Sequence, residues 1–290
     1  MAPIINIQNK EDFERAKKIL ELSKVNYSIP KNNKINQIAE LDRKDWIVVP
    51  KKEGNEFVKD SYAFDMSPAR LSYNSAVKKV GKKLNIDYKN TGEDSLGRGF
   101  VGNNDWNQSL MLNQFLGVKT PNMKEEIDYL HLLYLGSQDK IKVWDVSGKQ
   151  VDSKLCEKLL IDTIKPKSPW RGEFIDANYK TNGNDLEVHS DHVFNNNGNI
   201  KDYQSEILDK DTLMQDKKID VIDFITKNNT SQGHVSKKVK SGNFNFWYPR
   251  RDNNSVAGFY ADSYGAGLVC YRSPSSRGSS LGVRAAKLRE

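Results

Sequence analysis

The thirty residues from Ser255 to Arg284 constrain this chain more than any other stretch. In an extended backbone, successive side chains point to opposite faces. Ala257, Phe259, Ala261 and Ser263 therefore share one face, and Gly258, Tyr260, Asp262 and Tyr264 the other. The register slips once, at Gly265. Ala266, Leu268 and Cys270 then face one way, and Gly267, Val269 and Tyr271 the other. A loop, Ser273-Pro274-Ser275-Ser276-Arg277-Gly278-Ser279-Ser280, leads to a last strand, Leu281-Gly282-Val283-Arg284-Ala285. The first set is small and apolar, as a packed sheet face requires. The second holds Tyr, Ser, Gly, Asp, Val and Arg, with no Lys, Glu or Gln, in a chain rich in Lys. Tyr, Ser and Gly together are what recognition surfaces favour, because they combine rigid amphipathic rings with small adaptable groups. The plainer alternative is an edge hairpin with exposed tyrosines.

The first ~165 residues read as helical from the spacing of their apolar positions. Phe13, Ala16, Ile19 and Leu20 share a face behind Asn9. Ser67-Pro68 has the form of an N-cap with proline at the first helical position, followed by Leu71, Tyr73, Ala76, Val77 and Val80, with Gly81 as an interruption. Asp105 caps a helix through Leu116 that Gly117 closes. Asn122 and Glu125 form a capping-box pattern ahead of Ile127, Leu130, Leu133 and Tyr134, with Gly136 at the end. Asp152 or Ser153 starts a last helix, and Pro166 and Pro169 stop it. Strand signals follow: Trp170 to Asp176, the turn Thr181-Asn182-Gly183-Asn184, the alternating Leu186 to Phe194, and Phe244 to Pro249. Residues 200–242 read as a long polar loop with short elements around Ile219, Val221, Ile222, Phe224 and Ile225. The expected fold class is α+β, with a mainly helical part over 1–165 packed on a β-rich part over 166–290.

Composition excludes several classes. Hydrophobic residues make up 37% of the 290, enough for a core. No apolar run approaches the ~20 residues of a membrane span, and no signal peptide is visible at Met1–Ile7. Cys156 and Cys270 lie in different elements, which gives neither a metal spacing nor a disulfide framework; buried thiols are expected. Of the net charge of +7, all is carried by residues 230–290, where ten Lys/Arg face three acids. A basic segment can serve an anionic partner, but Lys237–Lys240 reads better as a solvated loop. Glu187, His189 and Asp191 share a strand face with His192 opposite, and Asp209, Asp211 and Asp216 are spread over one loop. Solvated polar residues are the better reading of both groups than a zinc or calcium site, so no metal and no cofactor is expected. Gly97 to Gly102 reads as a turn rather than a phosphate loop. No nucleophile-elbow, P-loop or dinucleotide pattern occurs.

The string Asn254-Ser255-Val256-Ala257-x-Phe259-x-Ala261-x-Ser263-x-x-Ala266-x-Leu268-x-Cys270-x-Arg272-x-Pro274, closing in Ser279-x-Leu281-Gly282-Val283-Arg284, resembles the variable region of archaeal diversity-generating-retroelement proteins. Likeness extends to Trp170-Arg171-x-Glu173-Phe174-Ile175-Asp176-Ala177, Trp247-Tyr248-Pro249, Tyr88-Lys89-Asn90-Thr91 and Arg98-Gly99-Phe100-Val101-Gly102, covering most of residues 60–290. The resemblance implies a C-type-lectin-like fold in the C-terminal part, a variable region over about 255–284, binding of a protein or surface ligand without catalysis, and display at the cell surface. It also implies diversification at adenines of AAY codons, which become NNY and never encode Lys, Glu, Gln, Met or Trp. The candidate ligand-binding positions are Gly258, Tyr260, Asp262, Tyr264, Gly265, Gly267, Val269, Tyr271, Ser273, Ser275, Ser276, Arg277, Gly278 and Ser280. All fourteen are NNY-encodable.

Two other readings compete. A C-type-lectin-fold enzyme would want a reactive, partly exposed cysteine, whereas Cys270 alternates with apolar partners. A nucleic-acid-binding protein would want dense Lys/Arg on the exposed face, whereas that face is tyrosine and glycine.

Overall fold

A computed structural model of the chain describes residues 37–195 and 197–289. Its elements are β1 (Ile47–Glu53), β2 (Glu56–Met66), α1 (Ser75–Leu84), β3 (Lys89–Glu93), β4 (Gly99–Gly102), α2 (Trp106–Phe115), α3 (Met123–Ser137), β5 (Val143–Trp144), β6 (Gln150–Val151) and α4 (Ser153–Ile164). Then come β7 (Arg171–Asn182), β8 (Asp185–Phe194), β9 (Ile200–Ile207), β10 (Lys217–Ile219), α5 (Val221–Thr226), β11 (Phe244–Trp247), β12 (Ser255–Ala261), β13 (Ala266–Arg272), β14 (Leu281–Val283) and β15 (Ala286–Leu288). The class is mixed α+β.

The main sheet runs β10-β11-β13-β12-β7-β8-β9, with β14 joined to β7. Most neighbours are antiparallel; β11–β13 and β14–β7 are parallel. A second sheet, β1-β2-β15, ties the last strand to the first hairpin.

Two apolar cores result. The larger lies under the main sheet, where Ala257, Phe259, Ala261, Ala266, Leu268 and Cys270 meet Leu130 and Leu133 of α3, Leu159 of α4 and Phe224 of α5. The smaller sits on the opposite side of β7 and β12. There Phe174, Val256 and Val283 pack with Val77 and Val80 of α1 and with Trp106, Leu110 and Phe115 of α2. The sheet is therefore covered on both faces at one end and on one face only at the β12–β13 turn end.

The capping signals read from sequence hold. Asp105 and Asn122 each accept from the backbone of the third helical residue, and Gln108 and Glu125 reach back to close both boxes. Asp152 caps α4. Gly117 takes φ +74°, the left-handed conformation that glycine adopts at no steric cost. Gly183-Asn184 forms the β7–β8 turn, closed by the Asn182–Asp185 pair. Both cysteines are buried.

Other expectations are corrected. Among the described residues before 165 the structure is mixed rather than mainly helical, since β1 to β6 lie there beside α1 to α4. The β1–β2 hairpin carries a weak alternation signal: its packed face near the tip includes Lys52, its base buries Ile47, Val48 and Val49 in succession, and Asp65 interrupts the apolar base of β2. Nor does the chain divide at residue 165, because the described residues belong to one compact unit, Asn36–Glu290. Ser67-Pro68 does not start a helix. Residues 67–71 run beside β14, with Ser67 N bonded to Ala285 O and Leu71 N to Val283 O, and α1 begins at Ser75 behind Asn74. Gly81 lies inside α1, where a side chain would meet Ile86 O at 2.6 Å. Residues 200–242 contain a full eight-residue strand, β9, exposed along its whole length as the edge of the sheet. Exposure on both faces removes the period-2 signal by which a strand is recognised. The helix expected around Phe13–Leu20 lies outside the described residues. Among the described residues, no helix is long and apolar enough to cross a membrane.

Candidate functional site

The β12–β13 hairpin sorts its side chains as the alternation requires. Phe259 and Leu268, opposite each other in the ladder, are 2% and 0% exposed. On the other face, Tyr264 at the turn is 97% exposed, Tyr271 is 39% exposed, and Tyr260 and Val269 are half-buried. Ser263 departs from its expected place. It sits in the turn and faces water, because Asp262 ends β12 and its carboxylate accepts from Tyr264 N and Gly265 N at 2.8 Å each. Asp262, read as a free position, thus also shapes the turn.

The outer face is an aromatic platform laid over glycine. Gly267 pairs with Tyr260 on one side and Asn245 on the other. A Cβ at Gly267 would fall 2.5 Å from Asn245 O and 2.6 Å from Tyr260 Cε1. In that space the Tyr260 and Trp247 rings lie 5.3 Å apart, and Asn245 Nδ2 donates to the Tyr260 hydroxyl at 3.0 Å. Arg250 stacks on Tyr248 at 3.7 Å and approaches Tyr271 at 4.9 Å, and Asp216 holds its guanidinium at 2.7 and 3.0 Å. Asn245, Trp247, Tyr248 and Arg250 were missed in the sequence. The Phe244-x-Phe246 alternation, which turns Asn245 and Trp247 to the same face as Tyr260, is the signal that could have found them. Arg272 was also missed. A register shift between Val256 and Gly258 breaks the strand parity and places its guanidinium about 3.6 Å from where a Gly258 side chain would begin.

Three candidate positions have little room for a side chain in this backbone. Gly258, Gly265 and Gly267 are buried. A Cβ at Gly258 would meet Glu173 O at 2.7 Å, and one at Gly265 would meet Asn245 Nδ2 at 2.8 Å. The first contact and that of Gly267 with Asn245 O are with backbone, which cannot rotate away. The sequence test of codon class is blind to such closeness.

The loop 273–280 is held mainly by its backbone. Pro274 O accepts from Trp106 N and Gly278 O from Asn103 N, both at 2.9 Å. Ser275 and Arg277 are exposed, and Ser273, Ser276, Gly278 and Ser280 are partly so. Arg277 pairs with Asp105 at 2.7 Å from a half-exposed position.

Beneath the loop lies a fixed polar cluster. Arg284, 1% exposed, grips Glu173 through two bonds of 3.0 and 2.9 Å, donates to Pro68 O and Thr163, and faces the Tyr129 ring. Glu126 lies 3.5 Å from it without a hydrogen bond, and burial pushes that carboxyl up to about 7 against the pull of Arg284. The basic C-terminal count therefore overstates the surface charge. Arg284 is internal, and Arg250, Arg277 and Arg289 each face an aspartate. Lys237, Lys238 and Lys240 are exposed, as expected of a solvated loop.

The other polar groups separate in space. Glu187 contacts His189 at 3.0 Å, and hydrogen bonds from Asn182, His189 and Ser205 hold its carboxyl down to about 2. Asp191 turns away, with φ +52° at an irregularity in the β8–β9 ladder, and pairs with Lys119. His192 instead bonds Asp176 at 2.5 Å. Asp216 serves Arg250, while Asp209 caps its own turn through Asp211 N. Among the described residues, no three His, Cys, Asp or Glu are placed to hold a metal ion. Burial pushes the Cys156 thiol up to about 11 and that of Cys270 up to about 12. No protein-family model, curated protein or solved structure matches the chain.

Proposed function

We propose that this protein is a non-enzymatic ligand-binding protein, built on a C-type-lectin-like fold of the kind found in diversity-generating-retroelement variable proteins. Its recognition surface is the outer face of β12–β13 with the loop 273–280. One observation carries the reading: along the hairpin, side chains sealed in the core alternate with side chains that keep an edge to water. Phe259 and Leu268 are sealed, while Tyr264 has no packing role. The loop adds to this, since its anchors at Pro274 and Gly278 are carbonyls, which every residue supplies. Substitutions at such positions cost little stability, so the surface is free to change its ligand.

Ring platforms beside a stacked guanidinium suit a protein or glycan surface with polar and apolar parts. Both thiols are buried and held protonated, which does not suit thiol chemistry. Most of the C-terminal arginines have internal partners, which leaves little for phosphate neutralisation.

The test is a set of full-length variants randomised with NNY codons at Tyr260, Tyr264, Val269, Tyr271, Ser275 and Arg277. Most are expected to melt within a few degrees of the parent, and selection against lysozyme as an arbitrary target is expected to yield binders. A set that mostly fails to fold would end the proposal. In the source genome, a second copy of codons 255–285 differing only at adenines would support it; adenine-independent differences would count against it.

A further inference from the structure

A cleft of about 110 Å³ opens between the β3–β4 turn and the segment leading into β7, walled by Phe100 and Trp170. Arg70 lines it, 4% exposed, with its side chain stacked on Phe100 at 3.8 Å. Its one hydrogen bond among the described residues runs from Nη1 to Ser280 O at 3.0 Å, and Nε has no partner. The hydroxyls of Thr91 and Ser95, which line the same cleft, are also buried without partners. Buried polar side-chain atoms nearly always find partners, so three residues with orphan atoms lining one small space, Thr91 with its hydroxyl also close to Gly102, mark a place that suits something polar.

The electrostatics indicate its sign. Three carboxylates border the cleft, but they are engaged or face water. Asp94 accepts from Leu96 N, Arg98 N and Arg98 Nε; Asp162 pairs with Arg171; Glu93 is exposed. Arg171 is likewise spent, on the carbonyls that end α4. Lys167, half-exposed at the rim, reaches Asp162 at 3.7 Å. Among the described residues no carboxylate is hydrogen-bonded to Arg70; Glu173, Asp162 and Asp94 act on it only through space, so its buried guanidinium is incompletely paired, which is costly. Its planar fork suits two oxygens at once, and the two hydroxyls can donate alongside it.

We infer that this cleft binds a compact oxyanion group, a carboxylate or a phosphate, with Arg70 as its charge partner and Thr91 and Ser95 as donors. The site lies apart from the outer face of β12–β13 and meets the loop 273–280 at Ser280, whose carbonyl Arg70 holds. The space holds several waters and so also admits a small head group.

The experiment is a calorimetric titration and a melting series of the full chain with sodium acetate and, separately, sodium phosphate. Ionic strength is held constant with chloride. Saturable binding of either anion, with a rise in melting temperature that chloride does not give, is expected; whichever binds reports whether the site prefers a planar or a tetrahedral group. Arg70→Gln should weaken that binding tenfold or more. Because Arg70 packs on Phe100, Thr91→Val and Ser95→Ala provide the second arm. Each should weaken binding several-fold while the anion-free melting curve stays put. No saturable binding of either anion, or binding that both hydroxyl variants leave unchanged, overturns the inference. Tyr271→Ser should leave oxyanion binding intact, so failure here and failure of the recognition surface are separately visible.

Discussion

The outer face of β12–β13 and the Arg284 cluster lie within one thirty-residue stretch, yet they treat polar groups in opposite ways. Around Arg284 each guanidinium nitrogen has an assigned acceptor among two oxygens of Glu173, the carbonyl of Pro68 and the hydroxyl of Thr163. On the outer face the Tyr260 ring leans on Trp247 and the Tyr271 ring on Arg250, and both keep an edge to water. Burial makes the difference. In the interior an unmatched group keeps its full desolvation cost, so partners are fixed. At the surface, water supplies any missing partner, so identities are free. One segment can therefore be rigid and permissive at once.

The sharpest way to break this comparison is Arg284→Ala. Removing one partner of a buried ion pair strands Glu173, and a loss of about 3–5 kcal/mol is expected by urea unfolding. A loss under about 1 kcal/mol would mean that the cluster is not the fixed element described. The next largest effect should come from Gly267→Tyr, a residue the codon class allows but the backbone contact at 2.5 Å resists. About 1–3 kcal/mol should be lost to overpacking. If Gly267→Tyr proves neutral, Asn245 and the rings move more easily than their packing implies, and the permissive face is larger.

A pH series separates the two sides differently. On the buried side of the sheet, His234 contacts the Tyr179 hydroxyl at 3.0 Å, and burial lowers its pKa from 6.5 to about 4. The folded state therefore binds this proton more weakly than the unfolded chain. Its contribution is present above pH 6.5 and is lost as pH falls towards 4, by up to about 1.4 kcal/mol per pH unit. Compared with His234→Gln, the parent should weaken more steeply across that window; parallel curves would refute the assignment. The smallest effect is expected at the turn. Tyr264→Ala should change stability by no more than about 0.5 kcal/mol, and a larger loss would show that the exposed ring is doing structural duty.

Helix starts were legible from the sequence because capping is local. Asp105 with Gln108 and Asn122 with Glu125 need only three residues to declare themselves. The hairpin faces were legible because one side is buried and the other is not, which writes itself as alternation. Strand β9 was not legible, since with both faces exposed nothing in its composition alternates. The β1–β2–β15 sheet was hidden for another reason: Ala286 pairs with Met66 across more than two hundred residues, and no window spans that.

What the sequence settled alone was that Ala257, Phe259, Ala261, Ala266, Leu268 and Cys270 face inward, because burial selects apolar residues at every second position. Only the tertiary structure decided which outward positions have room. Gly258 and Gly267 read as free, and neighbouring carbonyls occupy the space a side chain would need. It also decided that Arg284 is core rather than surface charge, because a guanidinium's place depends on whether carboxylates distant in the chain are brought to meet it.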